Sequence, residues 1–218
     1  MEFHFERELD ALKQKLLTMA SHAEKSVNES MQALIQRDTE LAWRVRRNDD
    51  VIDQFELEID DAAVLLLSKA PLAGDLRLVK VVMKLSQNLE RMGDEATKIA
   101  KCACALSQEP PVKIHLHLPR MAELSLAMIK DALDGFAQGD SAAARAIIPR
   151  DKEVDALNRE ILQALIGHMT ENPETIARCL HWIVAAKSLE RIADHAKNIA
   201  EEVVYLYEAQ DIRHALKN

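Results

Sequence analysis

LERMGDEATKIAK, Leu89 to Lys101, returns one hundred residues later as LERIADHAKNIAE, Leu189 to Glu201. Each copy sets a glutamate and an aspartate four residues apart, Glu90 with Asp94 and Glu190 with Asp194, among apolar residues at helical spacing. Residues four apart share a helix face, so each copy writes a pair of carboxylates onto one surface. The repetition extends outward. MQALIQRDTELA (Met31 to Ala42) aligns with LDGFAQGDSAAA (Leu133 to Ala144), and NDDVIDQFELEI (Asn48 to Ile59) with RDKEVDALNREI (Arg150 to Ile161), both at an offset of 102. The change from 102 to 100 falls between the second and third helix of each half, where a hairpin loop absorbs it. Two copies of so long a unit are a tandem duplication, not a solenoid.

Helix punctuation gives the unit its shape. The first helix is expected from about Phe5 to Gln36; Asp38-Thr39 caps a second, to about Lys69; Asp75, in the loop APLAGD, caps a third, to about Ser107. QEPPVKIHLHLPR, with its paired prolines, joins the halves. A fourth helix ends near Gln138-Gly139, Asp140-Ser141 caps a fifth, and Asn172-Pro173-Glu174 reads as cap, Pro at N1 and acidic first turn of a sixth. The expected architecture is all-α: two antiparallel three-helix bundles in tandem, residues 1–107 and 119–218, joined by a linker at 108–118.

Composition agrees. Five Gly, six Pro and eight aromatic residues in 218 leave little for strands, and 48% hydrophobic residues suffice for a packed core. A net charge of −8, without a basic block, argues against nucleic acid as a partner. The start MEFHFERELD does not read as a signal peptide, and the longest apolar run, AAVLLL at Ala62 to Leu67, is too short to span a bilayer. The expected location is cytoplasmic, with membranes met only through partners. Cys102, Cys104 and Cys179 lack zinc-site spacing and read as small apolar residues.

The hairpin register brings the acids together. A turn centred on Pro71-Leu72 sets Asp53 opposite Glu90 and Asp49 opposite Asp94; one centred on Asn172-Pro173 sets Asp155 opposite Glu190 and Asp151 opposite Asp194. Four carboxylates at one level repel unless protonated, paired or neutralised by a cation. All-oxygen ligation suits Mg²⁺, Mn²⁺ or iron, which makes a metal site in each bundle one reading. The other is a pair of solvated helix faces, with Asp94–Lys98 as an i,i+4 pair and Arg91 and Arg191 lying beside their glutamates. His195 is either an extra ligand or a solvated side chain. A di-iron oxidase would need Glu-x-x-His, which the chain lacks, and neither a phosphate-cradling Gly-rich loop nor a nucleophile elbow is present. No catalytic residue is assigned.

The doubled Glu-Arg-(Met/Ile)-(Gly/Ala)-Asp motif, the Asp-x-x-x-Asp segments upstream of each copy, AGDLRLVKVV (Ala73 to Val82) and the tail QDIRH (Gln210 to His214) resemble the PhoU family of phosphate-signalling regulators, over nearly the whole chain. The resemblance implies tandem three-helix bundles, commonly dimeric, that bind multinuclear iron, zinc or other divalent ions. It implies negative regulation of phosphate uptake and starvation signalling, through the ATPase subunit of the phosphate ABC transporter and a sensor histidine kinase. Carried over by position, it makes Asp49, Asp53, Glu90 and Asp94 the metal ligands of one bundle and Asp151, Asp155, Glu190 and Asp194 those of the other. The family pattern has Gly before the motif Asp in both repeats; here the residues are Gly93 and Ala193, and the added methyl is expected to limit close approach of a neighbouring helix or ion at the second site. The other readings are a metal-buffering or storage protein and a carboxylate-bridged di-metal redox enzyme.

Overall fold

In the computed structural model, residues 2–69 and 72–213 are described. The elements are α1 (Glu2–Gln36), α2 (Thr39–Lys69), α3 (Ala73–Ser107), α4 (Leu118–Gln138), α5 (Ser141–Ile147), α6 (Asp151–Glu171) and α7 (Ile176–Glu208). No strand occurs among the described residues. α1, α2 and α3 form one antiparallel bundle; α4, the α5–α6 pair and α7 form the second, so the chain is a tandem duplication of three-helix bundles.

Equivalent positions do equivalent work at the helix ends. Asp38 and Asp140 both cap, Asp38 Oδ1 accepting from the Leu41 amide at 3.0 Å and Asp140 Oδ1 from the Ala143 amide at 2.9 Å. The residues before them, Arg37 and Gly139, both turn left-handed, with φ of 59° and 73°. Gly139 does so without a Cβ penalty. Arg37 carries the strain but sends its guanidinium to the carbonyls of Leu106 and Glu109, tying the end of α1 to the end of α3.

Three expectations are corrected. Asp75 does not cap α3: the helix begins at Ala73, Leu72 precedes it without a side-chain cap, and Asp75 lies in the first turn, where the helix dipole favours an acid. The fifth helix is broken at Pro149, whose missing N–H interrupts the ladder; a 3₁₀ turn at Ile148–Arg150 separates α5 from α6. Pro173 opens a 3₁₀ turn, Pro173–Thr175, and α7 starts only at Ile176. The expected first turn centred on Pro71-Leu72 falls partly outside the described residues, and His214 of the tail lies wholly outside them.

The core is continuous across both bundles. α3 packs against α1 and α2 and also against α7, while α4 touches α1. α3 and α7 are bridged by Asn88 with His195 and by Glu95 with Ser188 and Arg191, and the motif residues Leu89, Met92, Ile99, Leu189, Ile192 and Ile199 are buried without exposure. Past α7 the tail folds back: Ile212 is buried and Arg213 reaches Glu202, which also pairs with Lys84 of α3 at 2.5 Å. The tail therefore closes over the joint between the bundles.

Candidate functional site

α3 and α7 cross antiparallel at their motifs, so residues exchange partners about a pseudo-twofold axis. His195 Nδ1 lies 2.9 Å from Asn88 Oδ1, and the equivalent pair across the axis is Ser188, whose hydroxyl donates to Glu95 Oε2 at 2.7 Å. Glu95 is buried, and its other oxygen accepts from Lys98 at 2.8 Å and Arg191 at 3.2 Å. Burial works to raise its carboxyl, but these hydrogen bonds together hold it below its ordinary range. A groove of about 430 Å³ lies over this network, lined by Arg91, Asp94, Glu95, Lys98, Arg191, Asp194, His195 and Asn198. One aspartate from each carboxylate cluster therefore faces the same space.

His195 is not the solvated side chain that was one of its two expected readings. It is half-buried, its Nδ1 is held by Asn88, and burial depresses its pKa, opposed by Glu95 and reinforced by Arg91, Arg191 and Lys98. The contact links α7 to α3 across the bundles. The expected Asp94–Lys98 pair is also replaced, because Lys98 turns to Glu95. Arg91 does stay beside its own acids, 3.3 Å from Glu90 and 3.7 Å from Asp94, whereas Arg191 leaves Glu190 and crosses to Glu95. The difference follows from position 95 being Glu and its equivalent, 195, being His.

In the first bundle the four acids do come within electrostatic reach of one another. Asp49 is raised by burial, tempered by the Thr97 hydroxyl beside it, and raised further by Asp53, Asp94 and Asp50. Burial and then Asp94 raise Asp53; burial and then Asp94 also raise Glu90. Gly93 makes the close approach possible: a Cβ there would stand 3.0 Å from Ile52 Cδ1 and 3.1 Å from Asp49 Oδ1. Sequence reasoning missed that the acidic stripe of α2 continues through Glu56 and Asp60; Glu56 is raised by burial and then by Asp60 and Asp53. Their spacing after Asp53 was the available signal.

In the second bundle the register likewise gathers Asp151, Asp155, Glu190 and Asp194, and the Asp194 carboxyl is pushed up to about 6, by burial first and then by Asp151 and Glu190. Here, however, lysines intervene. Lys197 donates to Asp151 Oδ2 at 2.6 Å, and Lys187 lies 2.7 and 2.5 Å from the two oxygens of Glu190. Neither lysine was anticipated.

Among the described residues, no three His, Cys, Asp or Glu side chains converge closely enough to hold a metal ion as they stand. In donor type alone the first cluster suits a hard cation: its acids are oxygen donors, Glu90 and Asp94 meet the exposed Arg91, and the neutral Thr97 hydroxyl lies beside Asp49. The second cluster fits one poorly, because ammonium groups already neutralise Asp151 and Glu190.

A family model described as the PhoU domain matches the chain twice, at residues 16–103 and 118–203. The phosphate-specific transport system accessory protein PhoU homolog of Pseudomonas aeruginosa is 41% identical over 212 residues, covering 96% of this chain and 88% of that protein. Its Escherichia coli counterpart is 34% identical with the same coverage. The crystal structure of PhoU from Pseudomonas aeruginosa superposes with a TM-score of 0.91 at 40% identity, over 94% of this chain and 100% of that one. That of the phosphate transport system regulatory protein PhoU from Streptococcus pneumoniae gives 0.88 at 30% identity, over 95% and 98%. With a doubled domain, full-length relatives and the same fold, the chain belongs to the PhoU family.

Proposed function

We propose that the protein is a negative regulator of phosphate uptake and phosphate-starvation signalling, acting in the cytoplasm by binding rather than by turnover. Its proposed partners are the ATPase subunit of the phosphate ABC transporter and a phosphate sensor histidine kinase, with a second copy of itself as a homodimer. The observation that carries this is the agreement over almost the entire chain with relatives named as phosphate-specific transport accessory proteins. No helix among the described residues is long and apolar enough to cross a membrane. The hairpin ends supply apolar surface of the kind a protein partner covers: Val64 and Leu76 in the first bundle, Ile166 and Ile176 at the equivalent positions of the second.

The physical basis is linkage. A helical body that binds one state of a transporter or kinase better than another shifts that equilibrium by the difference in affinity. The carboxylate clusters, Asp49, Asp53, Glu90 and Asp94 with Asp151, Asp155, Glu190 and Asp194, are the proposed sites for a divalent ion such as iron, zinc, manganese or magnesium. Bound there, the ion would supply charge neutralisation that stiffens the α2–α3 hairpin. Deleting the gene should leave phosphate-starvation genes switched on in phosphate-rich medium, and a plasmid copy should restore repression. Normal control in the deletion strain would reject the function and favour metal buffering.

A further inference from the structure

We infer that Lys197 is the built-in cation of the second carboxylate cluster, so that only the first cluster takes a divalent metal ion. This rests on the metal reading of the clusters proposed above and divides it between the bundles.

Four observations converge. The Lys197 ammonium is 2.6 Å from Oδ2 of Asp151, an aspartate only 6% exposed. At the equivalent place in the first bundle stands Thr97, also buried, a neutral hydroxyl beside Asp49. A second lysine follows the same rule: Lys187 pairs with Glu190, and its equivalent is the neutral Gln87. The acids themselves differ in the opposite sense. Asp50, Glu56 and Asp60 of α2 correspond to Lys152, Asn158 and Leu162 of α6, so the acidic stripe that runs on from Asp49 and Asp53 has no counterpart beside Asp151 and Asp155.

Charge and space make ammonium and metal competitors. A buried aspartate needs one strong partner, and a tethered ammonium provides it at no cost in ligand entropy. A metal entering the second cluster would have to expel Lys197 from Asp151 and leave two cations side by side. In the first cluster nothing has to leave, since Arg91 is exposed and loosely placed. Gly93 further allows Asp49 to lie against α3, where Ala193 fills the equivalent position.

The test uses the full chain, stripped with chelator and dialysed against Mn²⁺ alone, with bound metal measured by mass spectrometry. Asp94→Asn should lower affinity for Mn²⁺ at least about tenfold, while Asp194→Asn leaves it unchanged. Lys197→Thr, copying the first bundle, should gain a second class of Mn²⁺ site, and Thr97→Lys should lose the first. Melting of the metal-free proteins supplies an independent readout: Lys197→Thr should melt several degrees lower and recover with Mn²⁺. Equal losses in Asp94→Asn and Asp194→Asn, or no new site in a folded Lys197→Thr, would overturn the inference while leaving the metal reading intact. A wild-type protein that takes up no Mn²⁺, Zn²⁺ or Fe²⁺ would end the metal reading, and this inference with it.

Discussion

The two bundles share helix ends, hairpin register and seam, yet they treat buried negative charge differently. In the first, carboxylates face one another with Thr97 beside Asp49; in the second, the positions held by Thr97 and Gln87 are Lys197 and Lys187, which pair with Asp151 and Glu190. Duplication conserves what packing demands, because a changed core residue costs stability at once. Surface-facing charges drift more freely. The halves have also diverged in backbone: α2 runs unbroken through Arg47, whereas the equivalent Pro149 divides α5 from α6.

The largest expected effect comes from removing the second bundle's internal cation. Lys197→Met should destabilise the metal-free protein by about 3 kcal/mol, because it strands a buried Asp151, whose Oδ1 already has no hydrogen-bond partner. The mirror change, Thr97→Met, removes no ion pair and should cost about 1 kcal/mol or less. Denaturant unfolding of both variants decides it; equal costs would erase the proposed contrast.

Next are the left-handed helix ends. Gly139→Ala should cost about 1–2 kcal/mol, since φ of 73° is strained for alanine and the new Cβ would meet Tyr207 Cε1 at 3.3 Å. Arg37→Gly should fall within about 1 kcal/mol of zero, the relief of strain offsetting the lost bonds to Leu106 and Glu109. A large loss there would mean that the guanidinium tie, not the turn, holds α1 to α3.

Much of this was legible beforehand. The caps Asp38 and Asp140, the duplication and the carboxylate register all follow from local chemistry, since each depends on residues within one hairpin. The α3–α7 seam was not legible, because a helix's apolar period says that a face is buried without saying by which partner. Glu95 shows the consequence: its partners Ser188 and Arg191 lie more than ninety residues away, and they decide where Lys98 and His195 turn. The lysines were overlooked for a different reason. Aligning repeats draws attention to positions that match, while Lys197 and Thr97 are informative because they differ. Pro149 was visible, but the apolar period continued past it and masked the break.

A smaller effect should appear at the motif glycine. Gly93→Ala should cost about 1–2 kcal/mol, since its Cβ would crowd Ile52 and Asp49, and it should weaken any metal binding that needs Asp49 against α3. Ala193→Gly should cost about 1 kcal/mol from helix propensity alone. If Gly93→Ala proves neutral in both stability and Mn²⁺ affinity, the close α2–α3 approach is not what distinguishes the first bundle.

The smallest effect concerns pH. In the folded protein the Asp194 carboxyl is pushed up to about 6, from 3.8 for an unperturbed aspartate, by burial and by repulsion from Asp151 and Glu190. Between these two values the folded state holds its proton more tightly than the unfolded state does. The contribution of Asp194 to stability therefore falls as pH rises across that window and is flat above it. Asp194→Asn removes the penalty, so the metal-free variant should be more stable than wild type above pH 6 and should converge with it near pH 4. The group is partly exposed, and the gain should be only about 1 kcal/mol after allowance for screening. Urea unfolding of the two proteins in chelator, from pH 4 to pH 8, measures the difference directly. A gap that stays constant with pH would show that Asp194 ionises normally, and that Lys197 neutralises the second cluster more completely than its contact with Asp151 alone implies.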